Sequence, residues 1–325
     1  MSSHGSRPTE HEWIRHVVRG LGRPGPGVVL GPGDDTAALR VGGTTLLVTT
    51  DALVEGVHFR AGWLSPRALG ARAYGVNASD VAAMGGRPLA AVMALEVPHD
   101  VRARTLDALV AGFVAAARRH GASLVGGNLT GGPALAVTVT LLGRAGARLA
   151  TRAGARAGDH VFVTGRLGAM GTAVRDRRLG RRTPIPRVPD RVGAGALLAR
   201  VASAMIDVSD GLVQDLGHVA RASRVAIRLE ASRIPVAAAC RRRLGPAEGL
   251  ALALTAGEDY ELACTVPPGR LAALARVAGR LGCPLTRVGV VERGRPGVAV
   301  VAPDGAPLRL GAGGFDHLAA PGRRR

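Results

Sequence analysis

Two periodicities alternate along the chain. TTLLVTTD at residues 44–51, PLAAVMALEVP and ALAVTVTLLG are short runs dense in aliphatic and β-branched residues, which predicts strands. PRALGARAYGVNASDVAAMG and TLDALVAGFVAAARRHG return to an apolar residue every third or fourth position, which predicts helices. This alternation stops at the polar, Gly-containing RLATRAGARAGD, around residues 148–159, and resumes at HVFVTG. A domain boundary is expected there, with one domain over residues 1–150 and a second over 151–325. The second half mixes the strand patterns AMIDV, VAIRLE, LACTVP and GVAVVAP with helical ones, so both halves are expected to be α/β layers. The Pro- and Arg-rich DRRLGRRTPIPRVPDR reads as a surface connection, and VGGNLTGG as a turn.

Composition changes this picture in two ways. The chain has 325 residues, 47% hydrophobic but only 2% aromatic, enough for two cores. It carries 43 basic against 24 acidic residues, a formal charge of +19, and every basic residue is Arg. Arg, Gly, Ala and Pro have codons rich in G and C, whereas Lys codons are rich in A, so much of the basicity marks a GC-rich genome. The Arg residues are scattered, with few aromatics to stack on bases, and no nucleic-acid partner is expected. Cys240, Cys264 and Cys283 form no close-spaced pair, which argues against a zinc knuckle or a disulfide framework and fits a reducing cytoplasm. MSSHGSRPTEHEW lacks the apolar core of a signal peptide, and no run approaches the roughly 18 apolar residues of a membrane span, so no membrane partner is expected.

Acids are scarce, and their placement is informative. Asp34 and Asp35 stand in the Gly-Pro-Gly turn of LGPGDDTAAL, and Asp51 closes an apolar strand. Asp80 lies in a helix of small residues, with Val76, Asn77, Ala83 and Met84 at the positions where a helical ion pair would sit. In SAMIDVSDGLVQDLGHV, Ser209 and Asp210 have an ordinary reading as caps of a helix whose apolar stripe is Leu212, Leu216 and Val219. Asp207 has none, because it falls where the strand should still be buried. Glu258, Asp259 and Glu261 follow in TAGEDYELACTV. None of these acids has an Arg within a helical turn along the chain. Each alone is more often a turn former or a cap. Together they would repel one another unless neutralised, and hard dications with oxygen ligands do this. Magnesium on a few carboxylates, completed by water and phosphate oxygens, is the usual arrangement for nucleotide phosphates. The Gly-rich GPGDD, VGGNLTGG and VTGRLGAMG bring backbone N–H groups within reach of phosphate oxygens, although neither a Walker loop nor a Rossmann fingerprint is present.

GPGDDTAAL, TTDALVEGVHF, GVNASDVAAMGGRP, the GGN stretch, ATRAGARAGD, IDVSDGLVQDLGHVARAS, AGEDYEL and GFDHL, in this order, resemble the thiamine-monophosphate kinase family over nearly the whole chain. The resemblance implies a two-domain α/β (α+β) fold of the aminoimidazole-ribonucleotide synthetase type, whose N-terminal domain pairs strands across a homodimer. It implies transfer of the ATP γ-phosphoryl group to thiamine monophosphate. It further implies that Asp35, Thr49, Thr50, Asp51, Asp80, Asn128, Asp207 and Asp210 are magnesium ligands, with Asp51, Asp80 and Asp207 carrying catalysis. Gly127, Asn128, Arg152 and Ser209 would contact ATP, and His58, Glu258 and Phe315 would hold thiamine monophosphate. By residue type alone, His58 and Phe315 are more often satisfied packing residues. Two departures, GGN where the family has GGD and a short connection after VTGRLGAM, raise the alternative of a non-catalytic or regulatory nucleotide binder. Selenophosphate synthetase is disfavoured by the lack of Lys and of an N-terminal Cys, and the hydrogenase-maturation relative by the ending GRRR.

Overall fold

The structure, a computed structural model, describes residues 10–309. After helix α1 (Glu10–Gly20), strands β1 (Val28–Leu30), β2 (Ala37–Val41) and β3 (Thr44–Val54) lead into helix α2 (Pro66–Ala83) and strand β4 (Arg87–Val97). Helix α3 (Ala103–Arg118) and strands β5 (Ser123–Gly131) and β6 (Ala136–Arg144) complete a six-stranded sheet of order β1-β2-β3-β6-β4-β5. All its pairs are antiparallel except β4 with β5. The rest of the chain forms β7 (His160–Thr164), α4 (Ala169–Arg178), α5 (Val192–Leu198), β8 (Ala204–Val208) and α6 (Leu212–Ser223). It continues through β9 (Ala226–Glu230), α7 (Ala238–Thr255), β10 (Glu261–Val266), α8 (Leu271–Ala278), β11 (Leu285–Glu292) and β12 (Gly297–Val301). Its sheet has the order β12-β9-β11-β7-β10-β8.

Helix α2 is the element that joins the two halves. Ser65 caps it by accepting the Ala68 N–H, and Pro66 occupies a first-turn position where its missing N–H is not needed. One side of α2 packs on β3 and β6, and others meet α3, α5 and β8 of the second sheet. A helix covered on several sides needs small residues. A Cβ on Gly70 would stand 1.8 Å from the Leu109 carbonyl oxygen, and one on Gly112 of α3 would stand 1.9 Å from that of Arg67. The glycines therefore set the close approach of α2 to α3. One core lies between the two sheets around α2, α3 and α5, and a second lies on the far face of the second sheet under α6 and α7.

Three expectations need correction. VGGNLTGG is not a turn: β5 runs through it as an exposed edge strand parallel to β4, with Asn128 opposite Ala94. Gly127 is required there because a Cβ would meet the Met93 carbonyl oxygen at 1.9 Å. Ser209 and Asp210 do not cap α6. Its N-cap is Gly211, and Asp215 reaches back from the first turn to accept the N–H groups of Asp210 and Gly211 at 3.1 and 3.0 Å. Leu212, Leu216 and Val219 do form the buried stripe. DRRLGRRTPIPRVPDR is more than a surface connection, since its end is anchored. His120 and Asp190 pair at 2.9 Å, and Arg191 binds Glu261, which is 5% exposed, through two bonds of 2.5 and 2.8 Å.

Candidate active site

Several elements bring carboxylates to one buried place. The loop before β2 supplies Asp35, α2 supplies Asp80 near its C-terminal end, and β8 supplies Asp207, 1% exposed and opposite Leu262 of β10. Asp80 accepts a hydrogen bond from the Thr49 hydroxyl of β3 at 2.6 Å. Asp207 accepts one from the Ser79 hydroxyl at 2.8 Å, so neighbouring residues of α2 join β3 to β8. Asp51, two residues beyond Thr49 on β3, is exposed, yet its charge raises the pKa of both Asp80 and Asp207.

Electrostatics makes this cluster costly without a counterion. Burial, then the charges of Asp51, Asp207 and Asp35, push Asp80 well above the usual carboxylate range. Burial first, then Asp35, push Asp207 up to about 8, although Ser79 and Arg152 act against the shift. Burial and Asp35 push Asp34 up to about 6. Asp35 Oδ2 is buried and accepts no hydrogen bond among the described residues. An orphaned carboxylate oxygen beside mutually repelling carboxylates is a donor set of hard oxygens short of positive charge, which fits a divalent cation of the magnesium or calcium type.

The acids are not all without cationic partners, as the local sequence suggested. Arg152 donates to Asp35 Oδ1 from Nη2 at 2.6 Å and from Nε at 3.2 Å, and its backbone N–H bonds Asp34 at 3.0 Å. Glu258 is met by Arg72 and Glu261 by Arg191. Asp207 has Ser79 as its bonding partner and feels Arg152 only through space.

Beside the cluster, Ser209 and Val208 hold the 258–260 loop. The Ser209 carbonyl accepts the Glu258 N–H at 2.7 Å, and the Val208 carbonyl accepts the Tyr260 N–H at 2.8 Å. Asp259 accepts the Gly168 N–H at the start of α4 at 2.7 Å. Glu258 and Tyr260 adopt φ of 67° and 51°, left-handed conformations that residues with a Cβ keep only under such constraint. The buried Tyr260 phenol is raised by burial and by Glu258, Asp51 and Asp207, and lowered by Arg72, so loop and cluster share one electrostatic neighbourhood.

The remaining expected residues are more dispersed. Thr50 bonds the Val139 carbonyl at 3.1 Å and receives the Thr140 hydroxyl at 3.1 Å. His58, just past β3, accepts the Val54 N–H on Nδ1 at 3.0 Å. Asp210 lies with Asp215 and His218 in a group whose ligand atoms fall within 4.8 Å of one another. Gly127 and Asn128 lie on β5, where no hydrogen bond ties Asn128 to the carboxylates among the described residues. Phe315 lies outside the described residues. Sequence reasoning missed Ser79, Arg72 and Asp215. Ser79 had a signal in its adjacency to Asp80, and Asp215 in its first-turn place on α6, whereas Arg72 is separated from Glu258 by 186 residues and had none.

Comparison with known proteins bears on this geometry. The family model of the AIR synthase related protein N-terminal domain matches residues 33–145, and that of the C-terminal domain matches residues 156–302. The thiamine-monophosphate kinase of Escherichia coli is 36% identical over 90% of this chain and 93% of its own length. That of Mycobacterium tuberculosis is 41% identical over 78% of this chain and 80% of its own. The solved structure of AaThiL complexed with AMPPCP and TMP superposes with a TM-score of 0.83 at 31% identity, covering 97% of this chain and 100% of that one. Identity at this level over most of both chains, with both halves matched in order, shows that the chain belongs to the thiamine-monophosphate kinase family of AIR synthase related proteins.

Proposed function

We propose that this chain transfers the γ-phosphoryl group of ATP to the phosphate of thiamine monophosphate, giving thiamine diphosphate and ADP. The observation that carries the reading is the buried cluster of Asp35, Asp80 and Asp207, in a chain whose relatives are thiamine-monophosphate kinases. The AaThiL structure holds AMPPCP and TMP, a pairing that fits a donor and an acceptor on this fold.

The acceptor phosphate is already anionic at neutral pH, so no strong general base is needed. The difficulty is to bring two polyanions together. Magnesium ions held by Asp35, Asp51, Asp80 and Asp207, with Asp210 serving a further ion, would supply charge neutralisation of the donor and acceptor oxygens. Thr49 fixes the orientation of Asp80, and Ser79 that of Asp207, so their other oxygens face a defined direction. Arg152, held by Asp34 and Asp35, adds a fixed positive charge at the edge of the cluster, suited to a nucleotide phosphate. Ser209 belongs to the same nucleotide side. Glu258, on its constrained loop, and His58 are assigned to the thiamine end. The transfer is direct and in-line, with no phosphoenzyme.

The non-catalytic alternative has less support. Asn128 retains an amide oxygen able to meet a cation, and the short connection is anchored by Asp190 and Arg191. Exposed apolar residues on β4 and β5, Val92, Val125 and Leu129, support a homodimer formed through this edge. We divide the chain near residue 150 into an ATP- and magnesium-binding domain and a domain that closes the cleft. No described helix is long and apolar enough to cross a membrane. We assign a reducing cytoplasm as the compartment from the spacing of the three cysteines, which are free.

The test is to incubate purified protein with thiamine monophosphate, ATP and magnesium and to quantify thiamine diphosphate and ADP. Equimolar products are expected. ADP without thiamine diphosphate, or neither above background at any magnesium concentration, would overturn the proposal.

A further inference from the structure

Arg72 lies on α2 two turns before Asp80 and is 5% exposed, a burial that Arg tolerates only with partners. Its Nη2 donates to Glu258 Oε1 at 3.1 Å, its Nη1 reaches the Pro186 carbonyl at 3.5 Å, and its guanidinium stands 5.6 Å from the centre of the Tyr260 ring. One rigid, planar cation on a helix of the first half thus clamps a carboxylate and an aromatic ring of the second half. Glu258 needs such a clamp, because its backbone holds a left-handed conformation and its side chain is still 24% exposed. The contact engages Oε1 alone.

We propose that Arg72 is a positioning residue for Glu258. By holding Oε1 it fixes the direction of Oε2, which accepts a hydrogen bond from the nitrogen-bearing heteroaromatic head of thiamine monophosphate. This rests on the assignment of Glu258 to the thiamine end. Arg72 touches neither ATP nor the transferred phosphoryl group. Its loss therefore weakens binding of the acceptor and leaves the donor and the chemical step largely unaffected.

A double-mutant cycle on the full-length protein tests this. Arg72→Met keeps the length of the side chain and removes the charge, and Glu258→Ala removes the group that Arg72 orients. Arg72→Met is expected to raise KM for thiamine monophosphate about tenfold, the usual scale for loss of a charge-assisted hydrogen bond, with KM for ATP unchanged and kcat within about threefold. In the Glu258→Ala background the same substitution should change KM by less than about twofold, because nothing is left to position. Arg72→Lys, which keeps the charge without the planar fork, should fall between, at about threefold. The lost Pro186 contact is independent of Glu258, so a merely structural role would show equally in both backgrounds. An equal KM rise in both backgrounds, or no rise with melting intact, would overturn the proposal while sparing the assignment of Glu258. A silent Glu258→Ala would overturn both. If Arg72→Met does not fold, the same cycle run with Arg72→Lys decides on the same criteria.

Discussion

Replacing Asp80 by Asn separates a metal-binding carboxylate from a structural one. The substitution keeps the shape and an acceptor for the Thr49 hydroxyl, now bonded at 2.6 Å, and removes one negative charge from a buried site where Asp51, Asp207 and Asp35 all repel it. Its neighbour is shifted in the same direction. With Asp207 pushed up to about 8, keeping that carboxylate ionised at pH 7 costs on the order of 1 kcal/mol without a cation. Asp80 is pushed the same way, by burial first and then by Asp51, Asp207 and Asp35. Metal-free Asp80→Asn should therefore melt at the same temperature as the parent or a few degrees higher. With magnesium and both substrates saturating, its turnover should fall at least about a hundredfold, on the order of 3 kcal/mol of transition-state stabilisation. Paired assays of thiamine diphosphate formation and thermal melting, each with and without magnesium, read both effects. Turnover within threefold of the parent, or a metal-free melting temperature that drops in step with activity, would rule out a metal-binding role for Asp80.

Other substitutions and conditions follow from the same geometry. The folded-state pKa values of Asp34 and Asp207, about 6 and about 8, exceed 3.8, so the fold holds protons that the unfolded chain has released and metal-free stability falls as pH rises through this range. Magnesium competes with those protons, and the rise in melting temperature it causes should be larger near pH 8 than near pH 6; a larger rise at pH 6 would contradict this. Asn128→Asp should lower the magnesium concentration needed for half-maximal activity at saturating ATP, and an unchanged titration would show that this side chain does not meet a metal. Leu216→Ala, in the fully buried stripe of α6, should cost about 2–5 kcal/mol in denaturant unfolding while leaving KM values near those of the parent.

Strands and helices were legible where one face of an element meets the core, as in β3, β6 and α3. The 123–131 segment was not, because its glycines read as a turn until pairing with β4 is known. There Gly127 is dictated by the Met93 carbonyl against it. The carboxylates were legible because acids are few. Their cationic partners were hidden for the opposite reason, since Arg is everywhere and proximity in sequence predicts nothing about Arg152 and Asp35, 117 residues apart, or Arg72 and Glu258. The cap of α6 was misread because Ser209 and Asp210 have the right composition, whereas Asp215 reaches back from inside the helix to do the bonding. Polar composition likewise concealed the anchoring of the 181–191 connection by Asp190 and Arg191.

In the proposed reaction, buried carboxylates from both halves of the chain hold divalent cations between the two phosphates. Manganese substitutes for magnesium on oxygen ligands and scatters anomalously, so diffraction from crystals grown with manganese, a non-hydrolysable ATP analogue and thiamine monophosphate locates the ions directly. Anomalous peaks are expected within bonding distance of Asp35, Asp80 and Asp207, touching phosphate oxygens as well. Ordered nucleotide with no peak at these three carboxylates would contradict it.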